Sequence, residues 1–318
     1  MKKTVSLILV LLLVFALAAC GQSNAKKDSY VVGVCQLVQH EALDAATQGF
    51  QDALKEKLGD QVSFTVQNAS GDSANCAVIC NQFVGDEVDL ILANATPALL
   101  AAQSATNTIP ILGTAVTDYA SALEIDDWNG SSGKNISGTS DRVPEEEQAK
   151  VLQELFPDAV SVGIVYCSGE PNSKVQADSM RAALEGMGYQ VSDYVFTDSN
   201  DVAQVVTNAC DGSDVLYIPT DNTAASNTEL INNVALNAGV PIVCGESGIC
   251  AGCGVATLSI TYYDLGYVTG EMAYEVLVNG ADVSTMEIRY APFTKMYNAD
   301  ICAALGITVP ADYVAIEG

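Results

Sequence analysis

The sequence predicts an α/β protein built as two doubly wound, Rossmann-like lobes joined by a hinge. Three observations carry this prediction. The strand-like segments are continuous apolar runs, as in Val-Asp-Leu-Ile-Leu-Ala at 88–93 and Asp-Val-Leu-Tyr-Ile-Pro at 214–219. Alternation would mark a sheet with one wet face, whereas continuous runs mark parallel strands covered on both sides. Between the runs lie stretches with helical stripes, Ala46, Phe50, Ala53 and Leu54 in one, Met180, Ala183, Leu184 and Met187 in another. Finally, the order of segments occurs twice along the chain.

In the first pass a strand at 30–37 (YVVGVCQL) reaches a polar loop, QHEALD, then a helix at 45–59 and a strand-bearing stretch at 61–72. Further apolar runs follow at 87–101 and 107–116. The second pass starts at Ser161 with SVGIVYCS, the loop GEPNSK, a helix at 175–188 and a stretch at 189–201. It continues with GSDVLYIPTDNTAAS at 212–226, matching 87–101, and NAGVPIVCGES at 237–247, matching 107–116. Right-handed crossovers turn each β-α-β-α-β-α-β series into one doubly wound lobe. A late helix, TYYDLGYVTGEMAYEVLVNG, carries Leu265, Val268, Met272 and Val276 along one stripe and is expected to pack on the first lobe after a hinge crossing. GTSDR at 138–142 reads as the first crossing, the run Met286 to Tyr290 as the third, and ADICAALGITVP as a closing helix on the second lobe. The expected division is 30–139 plus 259–284 for the N-lobe and 140–258 plus 285–318 for the C-lobe.

The first twenty residues are read as export signal. Lys2 and Lys3 precede an apolar stretch from Val5 to Ala19, broken only by Ser6, and the run ends in Leu17-Ala18-Ala19-Cys20. A basic start, a short apolar core and small residues before a cut describe a secretory signal. The stretch falls short of the ~20 residues a membrane span needs. The LAAC run resembles a bacterial lipobox, which implies lipidation of Cys20, with acyl chains such as palmitate, and a polar tether over 21–29. The mature chain is therefore expected on the extracytoplasmic face of the cell membrane, held by lipid.

Composition excludes several function classes. Lys and Arg number 13 against 39 Asp and Glu, two of the 13 being Lys2 and Lys3 in the signal. Such a balance repels nucleic acid, which needs clustered cations. Ten cysteines are present, but Cys35, Cys167 and Cys244 lie in or at the end of apolar runs, where cysteine acts as a small hydrophobe. Cys76-x3-Cys80 and Cys250-x2-Cys253 are the close spacings, and the single histidine, His40, is remote in sequence from both. No metal site and no cofactor are expected; disulfides stay open. GICAGCG at 248–254 matches neither the dinucleotide fingerprint nor a phosphate loop, and no G-x-S-x-G elbow presents a serine to His40. An enzyme is not expected.

In a doubly wound sheet, the loops at the carboxyl ends of the strands line the binding crevice. Those loops are 36–44, 94–97 and 113–118 in the first repeat, and 168–174, 220–223 and 245–248 in the second. A zwitterionic ligand needs an acceptor for its ammonium and hydroxyls or free amides for its carboxylate. Asp118 and Asp221 could supply the first; Thr96, Ser168, Ser173 and Thr223 could supply the second. Asp221 could equally cap the helix that follows it.

GVCQLVQHEALDAATQGFQDAL, ATPALLAAQS, IPILGTAVTD, GIVYCSGEPNSKVQ, IPTDNTAAS and ITYYDLGYVTGEMAYEVLVNG together resemble the ABC-transporter substrate-binding lipoproteins of the tryptophan/tyrosine type. The resemblance covers nearly the whole mature chain. It implies a type I periplasmic-binding fold and capture of a small amino-acid-like solute, aromatic ones among them, for an ABC permease with its ATPase. A ligand sensor of the same fold, reporting to a membrane receptor, is the alternative. Carried over by motif, Gln36, His40, Thr96, Thr117 and Asp118 fall in the N-lobe part of the site. Ser168, Asn172, Ser173, Asp221, Asn222, Thr223 and Glu246 fall in the C-lobe part. Two departures from the family pattern, Glu41 and Tyr119 in place of prolines, are expected to bring an acid and an added ring near the cleft. Trp128, on a Gly/Ser-rich loop, is expected at the surface or at a lobe contact rather than against ligand.

Overall fold

The computed structural model describes residues 27–316; the signal, Cys20 and all but the end of the tether lie outside the described residues. The first sheet is built from β1 (Tyr30–Gln36), β2 (Val62–Asn68), β3 (Leu90–Asn94), β4 (Ile111–Val116), β5 (Ile136–Ser140) and a short β11 (Arg289–Tyr290). The second holds β6 (Ser161–Cys167), β7 (Gln190–Phe196), β8 (Val215–Ile218), β9 (Ile242–Cys244), β10 (Ala256–Ser259), β12 (Thr294–Tyr297) and β13 (Val314–Ala315). Their strand orders are β11-β5-β4-β3-β1-β2 and β13-β12-β10-β9-β8-β6-β7. Stripped of late additions, both read 2-1-3-4-5, the doubly wound order whose direction reverses beside the first strand. Every pairing is parallel except that of β10 with β12.

Burial follows the apolar runs. All five residues of β3 and all four of β8 are buried. Each Leu, Ile or Val removed from water contributes ~1.5–3 kcal/mol. The edge strands β2 and β7 differ: their sequences, VSFTVQN and QVSDYVF, are largely exposed or half-buried, with charge and hydroxyls blunting the open edge. The repeat reaches a structural carboxylate. Asp89 accepts from the Val31 amide at 2.8 Å, and Asp214 accepts from Val160 and Ser161 at 2.9 and 2.8 Å.

Helix α1 (Glu41–Leu58) begins four residues earlier than the sequence suggests, directly after His40, with Glu41 and Asp44 in its positive first turn. It packs along α11 (Tyr262–Asn279), the late helix. The contact is made by small residues. A Cβ on Gly266 would stand 1.9 Å from the Ala46 carbonyl oxygen, and one on Gly49 would stand 2.1 Å from that of Tyr263. Backbone therefore meets backbone, and the large residues expected to carry this contact only flank it: Leu265 and Met272 are buried, Val268 and Val276 half-buried.

Three segments pass between the sheets: the stretch after β5 around Asp141, the stretch between β10 and α11, and the stretch between β11 and β12. Arg289–Tyr290, expected with the second lobe, pairs with β5 in the first sheet. The closing helix is α12 (Ala299–Leu305), held where the Cys302 thiol donates to the Val255 carbonyl at 3.3 Å. All nine cysteines among the described residues are free thiols, eight of them buried. No described helix is long and apolar enough to cross a membrane.

Candidate functional site

Strand order places the loops after β1 and β3 side by side in one lobe, and those after β6 and β8 side by side in the other. These four loops flank the two points where strand order reverses, and they face each other across the interlobe cleft. His40 Nε2 lies 3.2 Å from Asn222 Oδ1, Gln176 donates to Thr117 Oγ1 at 3.3 Å, and Arg142 pairs with Asp118. The lobes are closed on one another.

A small central cavity of about 10 Å³ lies between the lobes. His40, Asp141, Asn172, Asp221, Glu246 and Tyr262 bring its polar groups. Asn222 is shared with an outer cavity of about 270 Å³ that Leu37, Val38, Pro97, Glu170 and Thr223 also line. Asn172 is shared with a third of about 180 Å³, beside Thr96 and Asp118.

The loop after β8 is shaped by two carboxylates. Asp221 caps the short helix α8 (Asn222–Ala225): its Oδ1 accepts from the Ala224 amide at 2.8 Å and its Oδ2 from the Cys167 amide at 2.7 Å. Glu170 accepts four close hydrogen bonds, from the amides of Asn222 and Thr223 at 2.9 and 2.8 Å, from Asn222 Nδ2 at 2.7 Å and from Thr223 Oγ1 at 2.8 Å, and a longer one from Asn172 Nδ2 at 3.5 Å. With its amide nitrogen held there, Asn222 turns its oxygen to His40. On the N-lobe side, Ala95 and Ala115 adopt left-handed backbone (φ 89° and 52°), rare for alanine, at the carboxyl ends of β3 and β4. Such conformations persist where the surroundings fix them, and they cluster at ligand clamps.

Burial dominates the electrostatics. It pushes the Asp221 carboxyl up to about 8, with the neighbouring Glu170 adding to the rise. Burial also pushes Glu246 up to about 7, although the Gly248 and Ile249 amides it caps pull the other way. Asp141 moves up for the same reason, and the His40 imidazole moves down.

Of the twelve residues expected in the site, His40, Asn172, Asp221, Asn222 and Glu246 line the central cavity, Thr223 the outer one, and Thr96 and Asp118 the third. Four line none of the three. Gln36 fastens the first loop to α1, donating to Asp44 at 2.6 Å and accepting from Thr47 at 2.7 Å. Thr117 is buried at the lobe contact, Ser173 donates to the Thr220 carbonyl at 3.1 Å, and exposed Ser168 donates to the Phe196 carbonyl at 3.2 Å. Tyr119 departs from expectation: its ring is buried within the N-lobe beside Gly113 and Gly138, with its hydroxyl on the Thr139 carbonyl at 3.1 Å, so no added ring enters the cleft. Glu41 lines a separate pocket beside Ser247 and Gly248 at the hinge. Trp128 is half-buried against the N-lobe core.

Sequence reasoning missed Asp141, Glu170 and Tyr262. Glu170 lay inside an expected binding loop, and a carboxylate next to a helix-starting proline was the signal available. Asp141 stands on the first crossing, which was read only as hinge, and Tyr262 opens the late helix, which was read only as packing on the first lobe.

Residues 31–316 match the family model described as ABC transporter substrate binding protein. The chain belongs to that family. A tyrosine-binding protein of Clostridioides difficile (strain R20291) is 36% identical over 320 residues, covering 96% of this chain and 92% of that protein. Among solved structures, an ABC domain from Streptococcus pneumonia in complex with L-Trp is 32% identical, with a TM-score of 0.84 over 89% of this chain and 96% of that one. An adhesive substrate-binding protein from Clostridium difficile in its ligand-free, open form is 36% identical, yet its TM-score is 0.69 over 91% of this chain and all of that one. The relative with the higher identity is thus the poorer match in shape, as expected when a closed pair of lobes is laid on an open pair. The fold is that of a type I periplasmic-binding protein, and the family is one of substrate-binding proteins rather than an enzyme class.

Proposed function

We propose that this protein captures an amino acid, tyrosine or tryptophan foremost, in the interlobe cleft and delivers it to an ABC permease from a lipid anchor outside the cytoplasmic membrane. One observation carries the reading: buried polar groups of both lobes meet around one cavity at the points where strand order reverses. A solute touching both walls binds the closed arrangement better than the open one, and that difference in affinity drives closure. The similarity to an L-Trp complex and to a tyrosine-binding protein supports the solute class.

The cleft's charge supports it as well. Asp141, Asp221 and Glu246 line the central cavity with no lysine or arginine among its lining residues. Arg142, the nearby cation, is occupied by Asp118 and Glu145. A phosphate or sugar acid meets no cation there, whereas an ammonium finds carboxyl groups whose charged form it favours.

A thermal-shift screen of the mature chain against the standard amino acids tests the reading. Stabilisation by an aromatic amino acid is expected; a flat screen overturns it. Deleting the gene should abolish uptake of the labelled ligand, whereas unchanged uptake with altered signalling would favour the sensor instead. Anchoring is tested by Cys20→Ser, expected to release the chain from the membrane fraction because stable attachment rests on acyl chains. A variant still retained after a high-salt wash contradicts the lipid anchor.

A further inference from the structure

Three atoms around the central cavity lack any hydrogen-bond partner among the described residues: His40 Nδ1, Asp141 Oδ1 and Asn172 Oδ1. Asp141 and Asn172 are buried to within a few per cent. Buried polar atoms in native proteins are nearly always paired, and each exception calls for an explanation.

Their neighbours fix the chemical sense of all three. Asn172 Nδ2 donates to the Thr220 carbonyl at 3.0 Å, which leaves Oδ1 as the free end, an acceptor. Asp141 Oδ2 accepts from the Tyr262 hydroxyl at 2.9 Å, leaving Oδ1 open. Asn222 spends its Nδ2 on Glu170 at 2.7 Å, so the oxygen it turns to His40 requires a proton on Nε2. Burial favours the neutral imidazole, whose Nδ1 then carries a lone pair and no proton. Three unpartnered acceptors thus surround one small cavity, and none of the unpartnered buried atoms on its lining is a donor.

A primary ammonium is the group that matches this set. It offers three N–H donors, is close to water in size, and gains most beside a carboxylate. Asp221, one of the two ammonium acceptors the sequence offers, already has a backbone amide on each oxygen. We propose that the ligand's α-ammonium sits in the central cavity on Asp141 Oδ1, Asn172 Oδ1 and His40 Nδ1, with Asp141 as its counter-charge and Asp221 as a structural cap. This rests on the amino-acid reading above and assigns the residues that make it specific for an amine. Asp141 stands on the first crossing, and Tyr262 opens the helix after the second. The ammonium therefore ties the two walls at the hinge itself.

The test compares Asp141→Asn with Asp221→Asn, titrating each with L-tyrosine and L-tryptophan and with their des-amino analogues, 3-(4-hydroxyphenyl)propionate and indole-3-propionate. Asp141→Asn should weaken amino-acid binding about thirtyfold or more, as loss of a buried charge-assisted contact does. It should leave the wild type's weak affinity for the analogues unchanged within about threefold. Asp221→Asn should shift amino acid and analogue by the same factor. Should Asp141→Asn fail to fold, Asn172→Ala, which removes a second acceptor, must show the same selective loss. Wild-type affinity in Asp141→Asn, or equal losses for amino acids and analogues, overturns the assignment and leaves the amino-acid reading standing. A wild-type chain that binds no amino acid overturns that reading, and the assignment with it.

Discussion

Glu170→Ala removes the group that holds the loop after β8. In the wild type four close donors converge on this buried carboxylate, two backbone amides, of Asn222 and Thr223, and the side chains of the same two residues, with Asn172 Nδ2 farther off at 3.5 Å. The side chains can turn to other partners, but the amides open the short helix α8 and cannot move without unwinding it. A hydrogen bond to a charged group is worth ~1.5–3 kcal/mol, and a stranded buried donor costs about as much. Two stranded amides give at least ~3 kcal/mol. Water entering from the outer cavity, which Glu170 also lines, sets the ceiling not far above that figure. Glu170→Gln keeps one accepting oxygen and should recover about half. Urea titrations at constant pH should show the midpoint falling in the order Glu, Gln, Ala with unchanged slope. Affinity should fall in the same order, because Asn222 no longer holds His40 in place. An Ala variant within about 1 kcal/mol of wild type refutes the claim that this carboxylate shapes the loop.

Gly266→Ala should destabilise the chain by ~3 kcal/mol or more, since its Cβ would stand 1.9 Å from a backbone carbonyl and no side chain can give way; a thermal melt like that of the wild type contradicts the close α1–α11 contact. Stability without ligand should decline from pH 5 to pH 7. With Asp221 raised to about 8 and Glu246 to about 7, the folded chain keeps protons that the unfolded chain has released, at up to ~1.4 kcal/mol per pH unit for each group. The lowered His40 acts in the opposite sense below its ordinary value, but Asp141, raised by burial as well, joins the other two carboxyls against it. Urea midpoints across this range check the sign, Glu246→Gln should flatten the slope, and a midpoint that climbs steadily instead contradicts it.

The two-lobed architecture was legible because it depends on patterns that extend over whole elements. Short continuous apolar runs such as Leu90–Ala93, set between polar loops, mark strands covered on both faces, and the repeat of segment order carries the same strand order into each lobe. The binding loops followed from topology for the same reason. Less was legible in the choice of side chains within them. Gln36 and Ser173 stand at the right loops but turn to backbone or neighbouring side chains, and nothing in a linear sequence sets that direction. Asp141 escaped notice because its role comes from burial at a crossing and from Tyr262, 121 residues away. Tyr119 was misplaced because the room beneath it comes from Gly113 and Gly138, two glycines on neighbouring strands.

An amino-acid-like solute held between the two lobes should draw them closed upon it. Small-angle scattering of the mature chain, without ligand and saturated with the amino acid that stabilises it most, tests this directly. A smaller radius of gyration is expected with ligand, approaching the value calculated for the closed arrangement of the lobes. An unchanged profile at saturation would contradict it, marking the protein as a rigid scaffold whose cleft is not a clamp.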